Sequence, residues 1–387
     1  DRKSTRLNSS HTLASRMPND SESDLLKSKV YFEDREHIIE VGDQSSLTYD
    51  LQSRVSALAS SVEVSYEIAD PSLVSEYNQK YGANYKVFKS SSAKLSKEVV
   101  TIAEGDVYSE KSVLQLSGLE EVEEGKPCLL PIRIKSASLP VMKGTDILYL
   151  VINKPVRIMK VAKFSSNYIK VPIIPGNPVS SLTYEALIYI DGFGDNNTIM
   201  GCEGVLILRI GDLALPNHAH DLIQIAGNKQ FYSNQQFVKN RWYHVTFSYD
   251  QPSGKAIIYI DGEKAAESTW DTPSFDLASD GGGFFIGKVA GLKWGERPFN
   301  GKMSEVRLWH TSRTQNQIKQ NMLDVDPASD NLAFYYKLNG DDLYKADNGD
   351  WLIRDASSNG MDATTGRSLT STSALPFVTL DTPVAIK

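Results

Sequence analysis

The sequence predicts an all-β protein made of two successive β-sandwiches, the first of which also carries one short helix. In residues 241–249 apolar and polar side chains alternate, which is the period of a half-buried β-strand. Short apolar runs recur along the chain with turn residues between them, such as Asp261-Gly262, a dipeptide that accepts positive φ in a two-residue hairpin. A Pro-rich segment, residues 171–178, divides these runs into two sets, and 387 residues are enough for two cores.

The charge balance excludes one class of partner. The chain has 41 Lys and Arg residues against 48 Asp and Glu residues, and its net charge is −7 at pH 7. No basic stripe is present that could follow a phosphate backbone, so we expect no nucleic-acid binding. The longest apolar run, residues 147–152, is far too short to span a bilayer. Cys128 and Cys202 lie in different predicted domains, so we expect two buried free thiols rather than a disulfide.

Residues 1–18 are excluded from the interpretation, as a tag would be. Their sequence resembles the in-frame translation of a short-read sequencing adapter. Without them the chain has 37 basic and 47 acidic residues and a net charge of −10, because they contribute four cations and one carboxylate: Arg2, Lys3, Arg6, Arg16 and Asp1. We expect this segment to have replaced the native N-terminus, with any signal peptide or lipid-anchor cysteine. Residues 19–27, which are acidic, are interpreted as a tether.

Residues 28–170 are predicted to form the first domain. A helix begins at Asp70-Pro71, with Asp70 as N-cap, Pro71 at the first helical position and Gly82 just past the end. One helix among many short strands fits an Ig-like or related β-sandwich. The predicted strands are residues 30–32, 38–41, 46–51, 61–68, 99–102, 112–116, 128–134 and 146–152.

This region resembles the N-terminal domain of unknown function 1735. The resemblance rests on the Asp70-Pro71 segment and on residues 100–105, 129–134 and 149–154. It implies a spacer or accessory domain in front of a carbohydrate-active or carbohydrate-binding domain. It also implies a lipoprotein at the outer surface or in the periplasm of a Gram-negative bacterium that harvests complex glycans. The outer membrane would be reached only through a lipid anchor lost with the native N-terminus.

The second domain is predicted to follow a linker. Residues 171–178 are interpreted as semi-rigid, because their three prolines and one glycine cannot form a central strand. The domain then covers residues 179–387, where Thr314 and Gln317 form a capping box that predicts a short helix to Met322. The predicted strands are residues 182–190, 205–210, 222–226, 241–249, 256–260, 284–288, 299–310 and 332–338.

The second domain resembles the laminin-G/concanavalin-A-like family. The resemblance rests on several motifs in the family's order: Trp242-Tyr-His-Val, Tyr259-Ile-Asp-Gly, and residues 285–287, 300–309, 311–322 and 355–360. It implies a two-sheet, jelly-roll-like sandwich. It does not imply one activity, because that fold hosts binding modules, toxins and enzymes.

Catalytic motifs are not found in the sequence. A retaining endoglycosidase of this fold needs paired carboxylates, usually as Glu-x-Asp-x-x-Glu on one strand, and no strand has that pattern. The acidic run at residues 120–124 reads as a charged turn in the other domain. Neither a Gly-x-Ser-x-Gly elbow, a His-Glu-x-x-His motif nor a phosphate-binding loop is present. We therefore predict that the protein is not an enzyme and name no catalytic residue.

Aromatic side chains are the candidate carbohydrate contacts, because their faces stack on the C–H surfaces of pyranoses. The five tryptophans all lie in the second domain: Trp242, Trp270, Trp294, Trp309 and Trp351. Trp242 and Trp309 match core positions of the resembled family, so packing is expected for them. Trp270 and Trp294 lie in Gly/Asp/Pro-rich segments, and we predict that they contact a ligand. Tyr232 is a weaker third candidate.

A calcium site is the other candidate, since many relatives of this fold bind calcium at a sandwich edge. Hard cations need several oxygen ligands, and one loop offers four: Asp191, Asp195, Asn196 and Asn197. Asp355 with Asn359 is a second possible cluster, although Asx residues in turns are more often turn formers. His218 and His220 are interpreted as solvated loop residues, because a zinc site would need further ligands that the sequence does not supply. His244 is expected to be structural.

These observations predict a non-catalytic, carbohydrate-binding accessory protein of a glycan-utilisation system, at the cell surface or in the periplasm. Its partner would be an oligo- or polysaccharide, with protein partners from the same system also possible. A protein adhesion module is the first alternative, and a broad flat apolar patch would favour it. A cryptic glycoside hydrolase is the second, and it requires a carboxylate pair in a cleft.

Overall fold

The computed structural model describes residues 28–81 and 83–386. The predictions for residues 1–18 and 19–27, and for Gly82 as the helix end, lie outside the described residues. The chain divides into two compact units, Asp1–Pro155 and Val156–Lys387, and nearly all of their regular structure is β. Within the described residues no helix is long and apolar enough to cross a membrane. The predicted all-β class is confirmed.

Among the described residues, the first unit has eleven strands in three sheets. The largest sheet has the order β2-β11-β10-β5-β8, with β6 beside β10; the smaller sheets are β3-β9-β7 and β1-β4. The strands are β1 (Val30–Tyr31), β2 (Glu36–Glu40), β3 (Ser46–Leu51), β4 (Arg54–Val55), β5 (Val62–Ile68), β6 (Lys86–Val87), β7 (Ala93–Leu95), β8 (Val99–Ile102), β9 (Ser112–Ser117), β10 (Cys128–Ala137) and β11 (Ile147–Asn153).

The predicted helix of the first unit is present as α1 (Ser72–Tyr81). Asp70 begins it as predicted, because its carboxylate accepts a hydrogen bond of 2.8 Å from the Ser72 amide. That hydrogen bond lowers the pKa of the Asp70 carboxyl below its ordinary value. Val74 faces inward from the helix and packs on Leu129 and Val151 of the largest sheet. The helix is therefore held by its apolar face.

The boundary between the units lies earlier than the sequence predicts. The sequence predicts residues 156–170 as part of the first domain. In the structure, residues 160–171 instead supply two strands of the second unit, β12 (Lys160–Ser165) and β13 (Tyr168–Val171). Residues 171–178 are consequently an internal segment of the second unit and not a linker. Its prolines end β13, because proline cannot donate to a ladder.

In the part of the chain that the structure describes, the second unit contains eighteen strands and one short helix, α2 (Gln315–Gln320). Thr314 and Gln317 form the predicted capping box at its start. After β12 and β13 the strands are β14 (Leu182–Gly192), β15 (Asn197–Cys202), β16 (Leu206–Ile210), β17 (Leu222–Gly227), β18 (Phe231–Gln236), β19 (Trp242–Asp250), β20 (Lys255–Ile260), β21 (Glu263–Thr269), β22 (Phe284–Ile286), β23 (Asn300–Trp309), β24 (Leu332–Tyr336), β25 (Leu343–Lys345), β26 (Trp351–Ile353), β27 (Ala363–Ser368), β28 (Ser371–Thr372) and β29 (Phe377–Thr379).

These strands form two sheets that enclose one large apolar core. The first sheet has the order β21-β20-β19-β14-β23-β12-β29, with β24 beside β23. The second has the order β18-β17-β16-β15-β22-β13-β27-β26-β25, with β28 beside β27. The two-sheet sandwich that the resemblance implies is therefore present. We call these the β19 sheet and the β22 sheet.

The alternation of residues 241–249 predicts a strand that is buried on one face. In the structure β19 is buried on both faces. Tyr243, Val245 and Phe247 face the core between the sheets, as expected. The opposite face, which carries His244 and Thr246, is also buried. The prediction of a half-buried strand is wrong because a polar layer, closed by α2 and the residues after it, covers the outer face of the β19 sheet.

Arg307 is the centre of this polar layer and is fully buried. Its guanidinium lies 3.0 Å from a carboxylate oxygen of Glu185 and 2.5 Å from one of Glu305. It also donates a hydrogen bond of 2.7 Å to the Asn321 carbonyl, which follows α2. Arg313 places its Nε 3.0 Å from the second oxygen of Glu185. Since a buried charge is costly without a partner, these contacts fix the strands and the helix together.

We expect Arg307→Leu to destabilise the fold by about 3–5 kcal/mol, because it leaves two buried carboxylates without their shared cation. Urea unfolding followed by circular dichroism measures the change. Arg354→Leu is the matched control, since Arg354 is exposed, and it should alter the free energy of unfolding by less than about 0.5 kcal/mol. Equal stability of the Arg307 variant and the wild type would contradict the role given to Arg307.

A second prediction concerns His244, which is fully buried in the same layer. Burial, and then the charges of Arg307 and Arg313, hold the pKa of His244 well below its ordinary value. The unfolded chain therefore binds a proton that the folded chain does not, and stability falls as pH drops below about 6.5. At pH 5.5 this residue alone should cost about 1.4 kcal/mol relative to pH 8. Urea unfolding at both pH values measures this loss of stability. The loss should be smaller in His244→Gln than in the wild type by about that amount.

Candidate functional site

The candidate site is the loop between β22 and β23, residues 287–299, which we call the Trp294 loop. Its underside packs on the outer face of the β22 sheet. Val289 and Ala290 join a buried apolar cluster with Phe285 and Tyr168, and the rings of the last two meet edge to face at 5.7 Å between centroids. Ile207 of β16 also belongs to this cluster, so the loop lies across several strands.

Lys288 anchors the base of this loop. Its side chain is almost completely buried, with 1% of the residue exposed, and its ammonium donates a hydrogen bond of 2.6 Å to the Arg367 carbonyl. The same ammonium forms an ion pair with Glu296 at the other end of the loop. Because a buried ammonium without a partner is unfavourable, Lys288 joins the two ends of the loop to β27.

Glu296 closes the loop from the opposite side. One of its oxygens pairs with Lys288, and the other accepts a hydrogen bond of 3.0 Å from the Gly291 amide. Its backbone carbonyl accepts a second one, 2.9 Å long, from Val289. Burial acts to raise the pKa of the Glu296 carboxyl, but the hydrogen bonds from Lys288 and Gly291 and the charge of Lys288 outweigh it and lower the pKa. The carboxylate is consequently held ionised in the closed loop.

Arg297 ties the far end of the loop to the sheet. Its guanidinium lies 2.6 Å from a Glu203 oxygen, and its carbonyl accepts a hydrogen bond of 3.0 Å from Thr198 of β15. Arg209 lies 3.8 Å from the other Glu203 oxygen, and its Nε donates to Gln224 at 3.0 Å. The loop is therefore fixed by apolar contacts beneath it and by ion pairs at both ends.

Trp294 projects from this fixed loop into solvent. The residue is 72% exposed, the largest value among the described large hydrophobic side chains. The Lys293 ammonium lies 4.5 Å from the centroid of the indole, so a cation contacts the ring. An exposed aromatic ring on a rigid base is the arrangement that the sequence predicts for a ligand contact. The exposure of Trp294 that this prediction requires is present, and the contact itself stays a prediction.

Trp270 occupies a different environment, and its prediction needs a correction. Only 6% of the residue is exposed, and its indole packs in the core against Phe231, Phe247 and Tyr249. The Trp270 amide donates to the Gly254 carbonyl at 2.8 Å, which holds the chain beside the turn between β19 and β20. A buried ring offers no face to a sugar, so Trp270 is a core residue.

The other candidate aromatics lie elsewhere in the second unit. Tyr232 is half-buried on β18, the edge strand of the β22 sheet, opposite Gln224, and its ligand contact remains a prediction. Trp242 and Trp309 are buried, as expected for packing residues. The Arg313 guanidinium lies 3.9 Å from the centroid of the Trp309 ring.

Three of the four predicted calcium ligands have protein partners in the structure. The Asp191 carboxylate pairs with Lys302 at 2.8 Å, and Asp195 lies 3.0 Å from the imidazole of His220. Asn197 is buried, and its side chain donates to the Ile210 carbonyl at 2.8 Å. Among the residues that the structure describes, no group of three or more His, Cys, Asp or Glu side chains could hold a metal. The calcium prediction for Asp191, Asp195, Asn196 and Asn197 stays a prediction.

The remaining polar candidates close turns. Asp355 accepts hydrogen bonds of 2.9 Å from the amides of Tyr335, Ser357 and Met361, and Asn359 donates to the Leu332 carbonyl at 2.6 Å. These bonds join the turn to β24. Asp355 and Asn359 are therefore turn formers, as Asx residues in turns more often are.

The two neighbouring histidines and the two cysteines lie as the sequence predicts. His218 and His220 are exposed in the loop before β17. Cys128 and Cys202 are both free and buried, in separate units.

Glu185 and Glu305 are two carboxylates on the adjacent strands β14 and β23. Both are buried and paired with Arg307. Burial raises the pKa of the Glu305 carboxyl, and the charge of Arg307 opposes this effect only in part. They lie in the polar layer of the β19 sheet, where they are covered by protein and paired with arginines.

Sequence reasoning missed Lys288 and Glu296, which set the position of Trp294. The two residues lie eight positions apart in an irregular loop, so no strand or helix period brings them together. The burial of Lys288 depends on Arg367, which is far away in the sequence. The one local signal is the run of glycines at 281–283 and 287, which indicates tight turns on either side of β22.

The chain is similar to a protein of Bacteroides ovatus, provisionally named a carbohydrate-binding protein, whose crystal structure is known. The two are 45% identical over 93% of this chain and 100% of that one, with a TM-score of 0.71. The chain belongs to that protein's family. A sequence model of the concanavalin A-like lectin/glucanase superfamily matches residues 164–319. A second model, of an N-terminal domain, matches residues 26–141.

Two more distant similarities each cover less than half of this chain. One is with a serum-amyloid-P-like pentraxin of Limulus polyphemus, 16% identical over 42% of this chain and 81% of that one, with a TM-score of 0.31. Another is with domain 4 of an extracellular arabinanase of Geobacillus stearothermophilus, 16% identical over 37% and 67%, with a TM-score of 0.29. These are too distant to carry an argument about function. No curated protein matches the chain significantly.

The superfamily match bears on the predicted boundary as well. It begins at residue 164, inside β12, and therefore includes β13. The matched range thus includes residues 164–170, which the sequence predicts as part of the first domain. The label of domain of unknown function 1735 is not shown for residues 26–141 and stays a resemblance.

We expect Lys288→Met to loosen the Trp294 loop, because it removes the ammonium that joins Glu296 to the Arg367 carbonyl. Hydrogen exchange of the Gly291 and Val289 amides, both bonded to Glu296, should become at least about tenfold faster. Lys293→Met is the matched control, because Lys293 is exposed and contacts only the indole. Unchanged exchange in the Lys288 variant would show that apolar packing alone holds the loop.

Proposed function

We propose that the protein binds carbohydrate without breaking a bond, and that the Trp294 loop is a contact site. The observation that carries this proposal is the indole of Trp294, exposed on a loop that is fixed at both ends. The apolar face of a pyranose stacks on such a ring, and the polar groups around it accept and donate to the hydroxyls. The Bacteroides ovatus relative supports the same class of ligand.

The rigidity of the loop adds to this proposal. A loop that must be ordered when a ligand arrives loses affinity, since the ordering costs conformational entropy. Lys288, Glu296 and Arg297 hold this loop in place through contacts that involve no ligand. Trp294 is therefore presented in one position.

The proposal of binding without catalysis is supported by the state of the acidic residues. Glu185 and Glu305 are buried and bound to Arg307, and a glycosidase needs its carboxylates exposed in a cleft on both sides of the scissile bond. The cryptic-hydrolase alternative consequently has no candidate pair at this position.

We further propose the setting that the sequence suggests: an accessory protein of a glycan-utilisation system, at the outer-membrane surface or in the periplasm of a Gram-negative bacterium. The resemblance of residues 28–170 to the domain of unknown function 1735 and the Bacteroides source of the relative motivate it. Cell fractionation and protease accessibility of the native gene product test the location. Recovery in the cytoplasm would overturn this part and leave the binding proposal intact.

Protein binding remains the competing function, and one observation favours it. Leu369 is 55% exposed, and Gly291 of the Trp294 loop lies directly against its side chain. Two exposed apolar side chains, Trp294 and Leu369, thus lie at the same loop, and a protein surface could cover both.

A glycan array probed with residues 19–387, with and without calcium, tests the function. Binding to at least one glycan is expected. Trp294→Ala should weaken it about tenfold or more, since the stacking face is lost, and Trp294→Phe should retain most of it, since a ring remains. Circular dichroism confirms folding. Full binding by Trp294→Ala would remove Trp294 from the site, and silence across the array with an intact fold would favour a protein partner.

A further inference from the structure

A pocket of about 410 Å³ lies in the second unit, next to the end of β13. Its volume is within the range of roughly 300–1,000 Å³ that is usual for small-molecule sites. Three segments line it: the end of β13 with the prolines after it, the glycines before β22, and the start of β27. The sequence reading assigned none of these residues to a site.

The apolar wall of the pocket is made by the segment that follows β13. Pro172, Ile173 and Pro175 line it. Proline has no amide hydrogen and a fixed φ, so this wall offers rigid apolar surface and few donors. Such a surface suits the C–H face of a sugar ring.

Lys170 is the cation of the pocket. Its ammonium lies 5.6 Å from the centroid of the Phe285 ring, and it forms no ion pair within the part of the chain that the structure describes. Thr364 lies opposite Lys170 in the β13–β27 ladder and lines the same pocket. The ammonium and the hydroxyl are therefore neighbouring hydrogen-bonding groups.

Asp362 is the carboxylate of the pocket, and its orientation is fixed. One oxygen accepts a hydrogen bond of 2.8 Å from the Asp355 amide, and the other accepts one from the Tyr344 hydroxyl. Each carboxylate oxygen has further lone pairs for a ligand hydroxyl. Asp362 is thus positioned by the protein and not by Lys170.

Glycines leave the third side of the pocket open. Gly281, Gly282 and Gly283 have φ values of 56°, 80° and 111°, a run of left-handed conformations that side chains rarely adopt. A Cβ on Gly283 would lie 3.7 Å from Cε of Lys170, so the backbone passes close to the lysine. The absence of side chains here lets a ligand approach the backbone and Lys170.

We propose that this pocket binds one uncharged sugar residue, with Lys170, Asp362 and Thr364 as its hydrogen-bonding groups. The two charges decide the class of ligand. An anionic sugar would meet the carboxylate of Asp362, and a cationic one would meet the ammonium of Lys170. A neutral polyol suits both, because each hydroxyl can accept from Lys170 and donate to Asp362. This inference deepens the proposed function and rests on it.

The pocket and the Trp294 loop adjoin through Phe285. The ring of Phe285 contacts the Lys170 ammonium on the pocket side, and it packs with Val289 and Ala290 beneath the Trp294 loop. Phe285 therefore supports the Trp294 loop and also lies beside the cation of the pocket. Each contact remains separable, because no residue belongs to both.

Saturation-transfer NMR and calorimetry on residues 19–387 test the pocket. The probes are methyl glycosides of glucose, galactose, mannose and xylose, with glucuronate and glucosamine as charged counterparts. At least one neutral probe should bind, and Lys170→Met should weaken it by roughly tenfold, the loss expected for a hydrogen bond to a charged group. Thr364→Val should weaken it less. Lys163→Met, an exposed lysine of β12 in the other sheet, should leave binding unchanged.

Three results would overturn the inference. They are an absence of binding by every neutral probe, tighter binding of glucuronate or glucosamine, and full binding by Lys170→Met. The Trp294→Ala variant keeps this test distinct from that of the proposed function. If array binding is lost in Trp294→Ala but unaffected in Lys170→Met, the Trp294 site stands and the pocket fails. If the Lys170 variant alone loses binding, the pocket stands and the Trp294 contact fails.

Discussion

The buried ion pairs around Arg307 determine which surfaces of the second unit can meet a ligand. They allow the outer face of the β19 sheet to be covered by α2 and the residues after it, even though that face is polar. Its inner face already packs in the core. The β19 sheet is therefore enclosed around β19, and the exposed aromatic ring and the pocket both adjoin the β22 sheet. The β19 sheet thus holds the buried charges, and the proposed ligand contacts lie at the β22 sheet.

The sequence predicts the all-β class and many of the strands. It does not predict β12, β13, β15, β18 and β21, among others, and it does not show what covers the sheets. Residues 241–249 alternate as a half-exposed strand would, and the core-facing residues are correct. On the polar face, Ser248 has its partners in Thr183 and Arg313, each 65 residues away in the sequence. A local pattern shows which face is polar. It does not show whether residues far away in the sequence will pair with the polar side chains and bury that face.

The misplaced boundary and the correction at Trp270 have the same origin. The strands β12 and β13 have ordinary strand sequences, and only pairing with β23, β29, β22 and β27, far along the chain, assigns them to the second unit. Trp270 and Trp294 both lie in turn-rich segments with similar composition. Trp270 packs among core aromatic rings. Trp294 projects from a loop that is anchored by Lys288, whose ammonium donates to the Arg367 carbonyl. Composition identifies irregular backbone, and tertiary contacts decide exposure.

The two proposed contacts differ in what they can contribute to recognition. A flat indole accepts many sugars, because any pyranose has an apolar face, so Trp294 adds affinity with little selectivity. The pocket beside Phe285 fixes a carboxylate and an ammonium at its walls, and an ill-matched hydroxyl there would leave one of them without a partner. Selectivity should therefore arise at the pocket and affinity at the loop. Because Phe285 packs beneath the loop and lies beside the Lys170 ammonium, one strand, β22, supports both proposed contacts.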